Sequence, residues 1–332
     1  MNMKIAKATP FEGSPVFHLP SVFGACPGKE LLLRVPVTGK RPICITADPL
    51  PQGLTLQDNI LSGTIADECE FSLTFRAENE CGTASCEVLF KVHPDTLLLT
   101  PLLGFTSWNA FGADVSQEKQ EKTAANMIES GLADYGYAYM NIDSGWQKEY
   151  GGKYDAIMPN EKFPDMKGYC DRMHALGLKC GIYSTPMLTA WGCPKEFESI
   201  PGCTTGDPDI LQTDMNGGIG LIHKEANNVK QWEEWGFDYL KYDWRPTDPT
   251  NADKMKQELL KSRRAFGFCV TVDANPRYGK YWAKNCSSFR CNIDSWDNWK
   301  LLKGYLNTVD DWKGIVCPGH YYDLDMLEIG FS

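Results

Sequence analysis

The stretch YLKYDWRP, residues 239–246, has the apolar and aromatic residues of a buried strand, yet it carries two charges before it reaches a proline. Residues two apart in a strand lie on the same face, so Lys241 and Asp243 point the same way. Burying a charge is costly unless it is paired. The stretch therefore predicts a strand end at which a lysine and a carboxylate work with further polar groups.

From Gly104 onward, short strands that end in polar residues alternate with amphipathic helices. The predicted strands are GFTSWN, YAYMNID, LKCGIYS, DYLKYD, FCVTVDA, SSFRCNID and a last one near KGIVCPG. One helix is predicted from Ser116 and another over residues 222–235, because apolar side chains recur there at helical spacing. Alternating strands and helices predict a parallel α/β fold, and the long loops after the strands favour a TIM (β/α)8-type barrel with seven strands visible.

The first part of the chain has a different pattern. Short β-rich runs such as NILSGTIAD and EFSLTFRAEN are separated by turn signals such as DPLPQG. Short strands at roughly ten-residue spacing predict a small all-β sandwich, which looks like an immunoglobulin-like module. The stretch KVHPDTLLLTP, residues 91–101, serves as the linker. We therefore expect a sandwich module over residues 1–98 and a barrel over residues 99–332.

The composition favours a globular protein whose partners are neither nucleic acids nor membranes. Of the 332 residues, 42% are hydrophobic, and the formal net charge of −10 provides no basic surface for nucleic acid. No apolar run approaches the ~18 residues needed to span a membrane. The 10 Trp, 14 Tyr and 15 Phe are usually core residues, although sugar-binding sites also use such rings as stacking faces. The composition leaves a homo-oligomer open.

The cysteines and the N-terminus leave the cellular compartment open. The 13 cysteines are an odd number and show no metal-like CxxC spacing. They are expected to be small buried residues, with disulfides as the alternative if the protein is exported. The first residues, MNMKIAKATPFEGS, lack the apolar stretch of a signal peptide. The chain is therefore either cytoplasmic or exported with its signal removed.

Four of the predicted strands end in an acid, with a second polar residue two positions earlier on the same face. The pairs are Asn141 with Asp143, Lys241 with Asp243, Thr271 with Asp273, and Asn292 with Asp294. A single aspartate at a strand end is usually a helix cap or part of a loop salt bridge. Four strands that each place an aspartate and a second polar residue on the same face are better explained by a pocket, because the C-terminal ends of barrel strands converge on one face.

The residue types at these strand ends favour sugar chemistry. The sequence has no GxGxxG after the first strand, no P-loop and no HExxH, and its five histidines are scattered, which argues against nucleotide binding and a histidine-based metal site. Glycosidic bonds are commonly cleaved by two carboxyl groups, one acting as nucleophile or base and the other as acid. With Asp243 as the nucleophile, Lys241 beside it would help to keep it ionised.

Six motifs, taken together, resemble those of the α-galactosidases of glycoside hydrolase family 27, in clan D. They occur in order over nearly everything after the linker: TPLLGFTSWNAFG (100–112), YMNIDSGWQ (139–147), KFPDMKGYCDRMHALGLKCGIYS (162–184), WGFDYLKYDW (235–244), FRCNIDSWDNW (289–299) and GHYYDLDMLEIG (319–330). One motif alone is weak, whereas six in register are specific. The resemblance implies a retaining exo-glycosidase that removes terminal α-galactosyl residues from oligo- or polysaccharides by double displacement.

The resemblance also implies roles for the strand-end residues. Asp243 matches the catalytic nucleophile, and Asp294 matches the general acid/base. The implied substrate-binding residues are Trp108 as an apolar wall, Asp143 and Lys241 at sugar hydroxyls, Arg290 at the 2-hydroxyl, and Asp273 and Asp325 as further pocket residues. The implied partner is a carbohydrate substrate, with no metal and no organic cofactor.

Two departures from the family pattern bear on specificity and on the fold. Ser144 follows Asp143 where the family usually has a second acid, and losing that acceptor for sugar hydroxyls could cost about 1–3 kcal/mol of discrimination. A β-L-arabinopyranosidase, an α-N-acetylgalactosaminidase and a non-catalytic carbohydrate-binding protein therefore remain alternatives. The resemblance ends at IGFS, after the seventh strand, so we expect a C-terminally incomplete barrel without its eighth strand.

Overall fold

A computed structural model of the chain describes residues 11–186, 223–244, 247–271 and 276–326. The strands of the N-terminal β module are β1 (Val16–Phe17), β2 (Val22–Ala25), β3 (Glu30–Arg34), β4 (Val37–Thr38), β5 (Cys44–Asp48), β6 (Leu54–Gln57), β7 (Ile60–Thr64), β8 (Cys69–Asn79) and β9 (Gly82–Val92). One sheet has the order β2-β9-β8-β5 and a second the order β3-β7-β6, while β1 pairs with β4. The N-terminal module is therefore all-β, as predicted.

The long hairpin of β8 and β9 organises this module. Its strands pair antiparallel up to Asn79 opposite Gly82. Asn79 closes the turn, because its Oδ1 accepts hydrogen bonds from the backbone N–H groups of Cys81 and Gly82 at 2.9 and 3.1 Å. Alternate residues of the hairpin point inward and form a core with the facing sheet. Those with no exposed surface are Leu73, Phe75, Val88, Phe90 and Val92.

The chain from Gly104 onward forms a curled parallel sheet surrounded by helices. Its strands are β10 (Gly104–Thr106), β11 (Tyr139–Ile142), β14 (Lys179–Ser184), β15 (Tyr239–Asp243), β16 (Gly267–Thr271), β17 (Ser288–Arg290) and β18 (Tyr321–Asp323). These strands lie side by side in chain order, and an antiparallel hairpin of β12 (Gln147–Gly151) and β13 (Ala156–Pro159) follows β11. The predicted TIM-type barrel is confirmed, with seven parallel strands among the described residues.

The helices are α1 (Trp108–Phe111), α2 (Gln117–Glu129), α3 (Met166–Ala175), α4 (Glu225–Trp235), α5 (Pro249–Lys261), α6 (Gly279–Asn285) and α7 (Trp299–Thr308). The two helices predicted from spacing are confirmed as α2 and α4. Ser116 caps α2, because its Oγ accepts a hydrogen bond from the backbone N–H of Lys119 at 3.3 Å. Among the helices described, none has both the length and the apolar composition needed to cross a membrane.

The position of the last predicted strand is wrong. The segment KGIVCPG does not form a strand, and β18 begins later, at Tyr321. Gly314 and Gly319 have φ angles of 76° and 89°, in the left-handed region that interrupts an extended strand. Cys317 makes only an isolated antiparallel bridge with His320. The apolar residues of this segment therefore belong to a turn that precedes the strand.

The β module packs against the N-terminal ends of the barrel strands. Asp134, which precedes β11, forms ion pairs with Arg41 at 2.7 Å and with Arg34 at 3.5 Å. Arg264, which precedes β16, forms an ion pair with Glu30 of the module at 2.8 Å. The side chain of Asp134 is only 7% exposed and that of Arg34 14%, so the pair between them is largely shielded from water. The C-terminal ends of the strands lie on the opposite face of the barrel, where barrel pockets form.

Candidate active site

Asp243 ends β15, and its carboxylate is buried at the C-terminal end of the barrel. The residue is 7% exposed. Tyr183, on the neighbouring strand β14, donates its hydroxyl hydrogen to Oδ2 of Asp243 at 2.8 Å. The other oxygen, Oδ1, is buried without a hydrogen-bond donor among the residues that the structure describes. One carboxylate oxygen is therefore held in place, while the other can interact with a ligand.

The surroundings of Asp243 raise the pKa of its carboxyl group. Burial has the largest effect and raises the pKa, the charge of Lys241 and the hydrogen bond from Tyr183 lower it, and the Asp143 carboxylate raises it. The resulting pKa is about 6. At pH 7 the carboxyl group is therefore mostly ionised, although its charge is poorly solvated. A carboxylate with this combination of burial and specific charged neighbours is a candidate functional group.

Lys241 forms a buried ion pair with Asp143, which follows β11 on the same face of the barrel. Nζ of Lys241 donates to Oδ2 of Asp143 at 2.6 Å, and the two side chains are 16% and 3% exposed. Two serines hold Asp143. The backbone N–H of Asp143 donates to Oγ of Ser107 at 2.9 Å, and Oδ1 of Asp143 accepts a hydrogen bond from the backbone N–H of Ser144 at 2.8 Å. Burial lowers the pKa of Lys241, but Asp143 and Asp243 raise it by more, so the lysine stays charged.

Arg290 ends β17 and connects several polar groups at this end of the barrel. Its side chain is 2% exposed. Nη1 pairs with Oδ1 of Asp325 at 3.0 Å and donates to Oγ1 of Thr271 at 3.1 Å. Nη2 donates to Oδ1 of Asp294 at 2.8 Å and to the carbonyl of Asn292 at 3.1 Å. The Asp325 side chain is 3% exposed and that of Asp294 is 52% exposed, so Arg290 joins a buried carboxylate to one that faces solvent.

Thr271 links this arginine cluster to Asp243. It ends β16, where it is the register partner of Asp243 on β15. Its Oγ1 accepts the hydrogen bond from Arg290, and Arg290 also lowers the pKa of Asp243 through its charge. Arg290 therefore acts on two carboxylates of different exposure: it binds Asp294 directly, and its charge acts on the buried Asp243. A pair of carboxyl groups at one end of a barrel is a candidate for acid–base and nucleophilic chemistry.

Known α-galactosidases are similar to this chain in sequence. A family model described as alpha galactosidase A matches residues 100–205. Alpha-galactosidase 2 of Arabidopsis thaliana is 32% identical over 243 residues, which make up 70% of this chain and 55% of that protein. The chain belongs to the α-galactosidase-like glycoside hydrolase family 27. This family 27 chain spans about half the length of the curated relatives it matches, the Arabidopsis protein among them.

Solved structures are similar to this family 27 chain in fold. The crystal structure of a candidate alpha-galactosidase/melibiase from Bacteroides fragilis has a TM-score of 0.82 and 31% identity, covering 96% of this chain and 66% of that one. Alpha-galactosidase I from Mortierella vinacea has a TM-score of 0.59 and 26% identity, covering 71% of this chain and 61% of that one. The similarity to the Bacteroides protein therefore includes the β module as well as the barrel.

The structure of this family 27 chain brings most of the predicted site residues together. Direct contacts join Asp143 to Lys241, and they join Arg290 to both Asp294 and Asp325. Asp243 shares a strand and a face with Lys241. Trp108 begins α1 just after β10, at the same end of the barrel, and is half-buried. Asp273 lies outside the described residues.

Tyr183 is a site residue that the sequence did not indicate. It lies within the predicted strand LKCGIYS, opposite Lys241 in the β14–β15 register. Its hydroxyl reaches Asp243, whereas its backbone carbonyl accepts a hydrogen bond from the indole of Trp146 at 3.0 Å. Its position near the end of a predicted strand was the available signal. A tyrosine there is easily taken for core, because the residue is only 1% exposed.

One group of potential metal ligands exists in the described ranges, but it suits a structural role. His174, Cys180 and Asp238 lie close together at the N-terminal end of the barrel, away from the site. Both oxygens of Asp238 are occupied: Oδ1 accepts from Arg264 at 2.6 Å, and Oδ2 contacts the His174 ring at 2.8 Å. A guanidinium in direct contact opposes a cation there. The described cysteines, Cys180 among them, are free thiols.

Proposed function

We propose that this chain carries the barrel of a retaining exo-glycosidase that removes terminal α-galactosyl residues from oligo- or polysaccharides. The observation that carries the proposal is Asp243, a buried carboxylate next to the Lys241–Asp143 pair: Tyr183 binds one of its oxygens, and the other has no donor within the part of the chain that the structure describes. Such a carboxylate can attack a carbon that enters the site with little solvent to displace. Relatives whose names state α-galactosidase activity support the choice of sugar.

In this mechanism Asp243 is the nucleophile. Its Oδ1 forms a bond to the anomeric carbon as the bond to the leaving oxygen breaks, which gives a covalent glycosyl intermediate. Lys241 supports this role because its positive charge favours the ionised carboxylate. Tyr183 fixes the orientation of the carboxylate through Oδ2, so the attacking oxygen is placed before substrate arrives.

Asp294 is the acid and then the base. It donates a proton to the leaving oxygen in the first step, and in the second step it takes a proton from the water that releases the sugar. Its partial exposure suits both tasks, because the leaving group and the incoming water arrive from solvent. Arg290 holds the carboxyl group at 2.8 Å and so limits its orientations.

The remaining residues form the sugar pocket. At the far side of the ring, Asp143 accepts hydrogen bonds from sugar hydroxyls and Lys241 donates hydrogen bonds to them. Arg290 donates to the 2-hydroxyl. Trp108 provides an apolar wall, and Asp325 supports Arg290 from behind through its 3.0 Å ion pair. Asp273, outside the described residues, remains a predicted pocket residue.

Ser144 favours a second candidate, a related glycosidase with another sugar preference. Ser144 has no exposed surface, and its backbone N–H is bound to Asp143. The pocket therefore has one carboxylate where the family usually has two, which reduces its capacity to hold sugar hydroxyls. A β-L-arabinopyranosidase or an α-N-acetylgalactosaminidase would use the same Asp243 and Asp294.

The test is hydrolysis of the nitrophenyl α-galactoside, β-L-arabinopyranoside and N-acetyl-α-galactosaminide by the wild-type chain and by Asp243→Ala. We expect one substrate to be turned over by the wild type and none by the variant. Azide should restore turnover of Asp243→Ala, because it replaces the missing nucleophile. The matched control Asp171→Ala removes an exposed carboxylate of α3 and should keep full activity.

Two results would contradict the proposal in different ways. Folded wild-type protein that binds galactose but turns over no substrate would be a carbohydrate-binding protein without catalysis. Turnover by Asp243→Ala in the absence of azide would show that Asp243 is not the nucleophile.

A further inference from the structure

Two tryptophans near Asp294 are exposed, unlike the others in the described ranges. Trp296 is 55% exposed and Trp299 is 76% exposed. The other described tryptophans are buried or half-buried: Trp108, Trp146, Trp232, Trp235, Trp244, Trp282 and Trp312. An exposed indole loses the free energy that its burial would provide, so its position beside a candidate acid/base calls for a ligand-based explanation.

The loop that carries Trp296 is held rigidly by hydrogen bonds. The Tyr305 hydroxyl donates to the carbonyl of Asp294 at 2.7 Å and to that of the preceding residue at 2.9 Å. On the other side, Oδ2 of Asp325 accepts from the N–H of Ser295 at 2.6 Å. The backbone on both sides of Asp294 is therefore fixed. A ring on a fixed loop loses little conformational entropy when a ligand stacks on it.

The end of the loop is fixed as well. Oγ of Ser295 donates to the carbonyl of Met326 at 2.6 Å, and the carbonyl of Trp296 accepts from the N–H of Asn298 at 2.5 Å. Trp296 thus lies between two anchored residues while its own side chain stays in solvent. A fixed backbone that carries an exposed indole is the arrangement expected of a preformed binding surface.

We propose that Trp296 stacks against the leaving sugar of the substrate, that is, against the ring attached to the galactosyl residue. The inference rests on the proposed function. A general acid must reach the glycosidic oxygen, so the leaving ring lies on the solvent side of the half-exposed Asp294. Along the chain, Trp296 is the next exposed side chain after Asp294, because Ser295 between them is buried. The apolar C–H face of a sugar ring suits an exposed indole, since both lose apolar surface to water on contact.

Trp299 provides a matched control within the same region. It begins α7, and Leu306, seven residues later and 62% exposed, lies on the same face of that helix. Trp299 is therefore part of an apolar stripe along α7, whereas Trp296 belongs to the loop beside Asp294. Both are exposed tryptophans, but only Trp296 is assigned to the leaving sugar.

The proposal names a substrate class. Substrates in which galactose is attached to another sugar ring gain the stacking contact, whereas substrates with a small leaving group do not. Binding energy from this remote ring would be used to position the glycosidic bond against Asp294 and Asp243. The chain should therefore prefer α-galactosides of sugars over those with leaving groups of one or a few atoms.

The experiment compares two substrates whose leaving oxygen needs the proton of Asp294, melibiose with a second sugar ring and methyl α-galactoside with only a methyl group. For Trp296→Ala we expect kcat/KM on melibiose to fall by about 3- to 10-fold, with kcat/KM on methyl α-galactoside unchanged. Trp296→Phe should retain part of the melibiose activity, and Trp299→Ala should leave both substrates unaffected. Circular dichroism of each variant checks that the fold is retained.

Each other result overturns the inference. An equal loss on both substrates would give Trp296 a role in holding Asp294, and no loss on either would leave it without a role in binding. The same selective loss in Trp299→Ala would move the contact to α7. If the wild type hydrolyses methyl α-galactoside but the selective loss is absent, this inference alone fails. If the wild type hydrolyses neither substrate, the proposed function fails together with it.

Discussion

Tyr183 donates a 2.8 Å hydrogen bond to one oxygen of Asp243, while the other oxygen of that carboxylate has no donor among the described residues. This asymmetry separates two tasks within one carboxyl group. The bound oxygen fixes the orientation of the group, and the unbound oxygen keeps its lone pairs for chemistry. The same hydrogen bond also stabilises the ionised form and so lowers the pKa of a group whose burial raises it.

Tyr183→Phe should shift the acidic side of the pH–rate profile. In the proposed mechanism Asp243 must be ionised to attack, so kcat/KM of the wild type should rise as pH increases through about 6. Without the hydroxyl, the pKa of Asp243 rises, and we expect the midpoint to move up by about one pH unit with about a tenfold loss of kcat. Tyr169→Phe removes another buried hydroxyl, on α3, and should leave the profile unchanged. An unshifted midpoint in Tyr183→Phe would contradict the role of this hydrogen bond.

Asp243→Asn should stabilise the protein at pH 7 but not at pH 4. The pKa of Asp243 is raised by folding, so the unfolded chain releases its proton first, and stability is lost as pH rises from about 4 through about 6. Asparagine does not titrate and avoids this loss, which amounts to about 2–3 kcal/mol for a shift of this size. Urea unfolding at both pH values measures the difference. An equal effect of the substitution at pH 4 and pH 7 would show that ionisation is not its cause.

Lys241→Met should be strongly destabilising. It leaves the buried carboxylates of Asp143 and Asp243 without their cation, and we expect a loss of about 3–5 kcal/mol in the free energy of unfolding. Adding Asp143→Asn should recover part of that loss, because one buried charge is then removed. A double-mutant cycle by urea unfolding measures the coupling. The exposed pair of Lys167 with Asp171 is the control, and Lys167→Met should change stability by about 0–1 kcal/mol.

Arg290→Lys should reduce both activity and stability. A lysine ammonium cannot reproduce the two-sided contact of the guanidinium with Asp325 and Asp294, so both carboxylates lose a fixed partner. We expect kcat/KM to fall by about 10- to 100-fold and the free energy of unfolding to fall by about 2 kcal/mol. Arg76→Lys, in an exposed pair, should be neutral in both measurements. Wild-type kinetics in Arg290→Lys would mean that a single positive charge is sufficient.

Asp134→Ala should weaken the contact between the β module and the barrel. It removes the shared partner of Arg34 and Arg41, and Arg34, whose side chain is 14% exposed, then keeps only its hydrogen bond to the carbonyl of Leu176 and no carboxylate. We expect a loss of about 2–4 kcal/mol. Differential scanning calorimetry should show a lower transition temperature, and Asp48→Ala, which breaks an exposed pair, should show little change. If Asp134→Ala unfolds like the wild type, the pairs contribute nothing to stability.

The barrel was predictable because its signals are local. Lys241 and Asp243 alternate with Leu240 and Tyr242, and the structure places the aliphatic and aromatic partners in the core between sheet and helices. The helix from Ser116 was predictable for the same reason, since spacing and cap both lie within one segment. The family 27 membership followed from motifs in order along the chain, whereas the roles of the individual site residues remain predictions.

The contacts between strands could not be read from the sequence. Tyr183 reaches Asp243 only because β14 pairs with β15 in one register, and no local pattern fixes that register. The position of β18 was missed because apolar residues between two glycines resemble a strand, although their φ angles prevent one. The burial of Ser144 depends in the same way on its surroundings, which include the Asp143 carboxylate that binds its N–H.

The β module contacts the barrel through Asp134 and Arg264, which both precede barrel strands, whereas Asp243 and Arg290 end theirs. The two ends of the barrel therefore have separate surroundings. If the protein is immobilised on a bead or displayed on a cell through its β module, the mouth of the pocket will face the medium. A large ligand would then reach Asp294 without first passing the support.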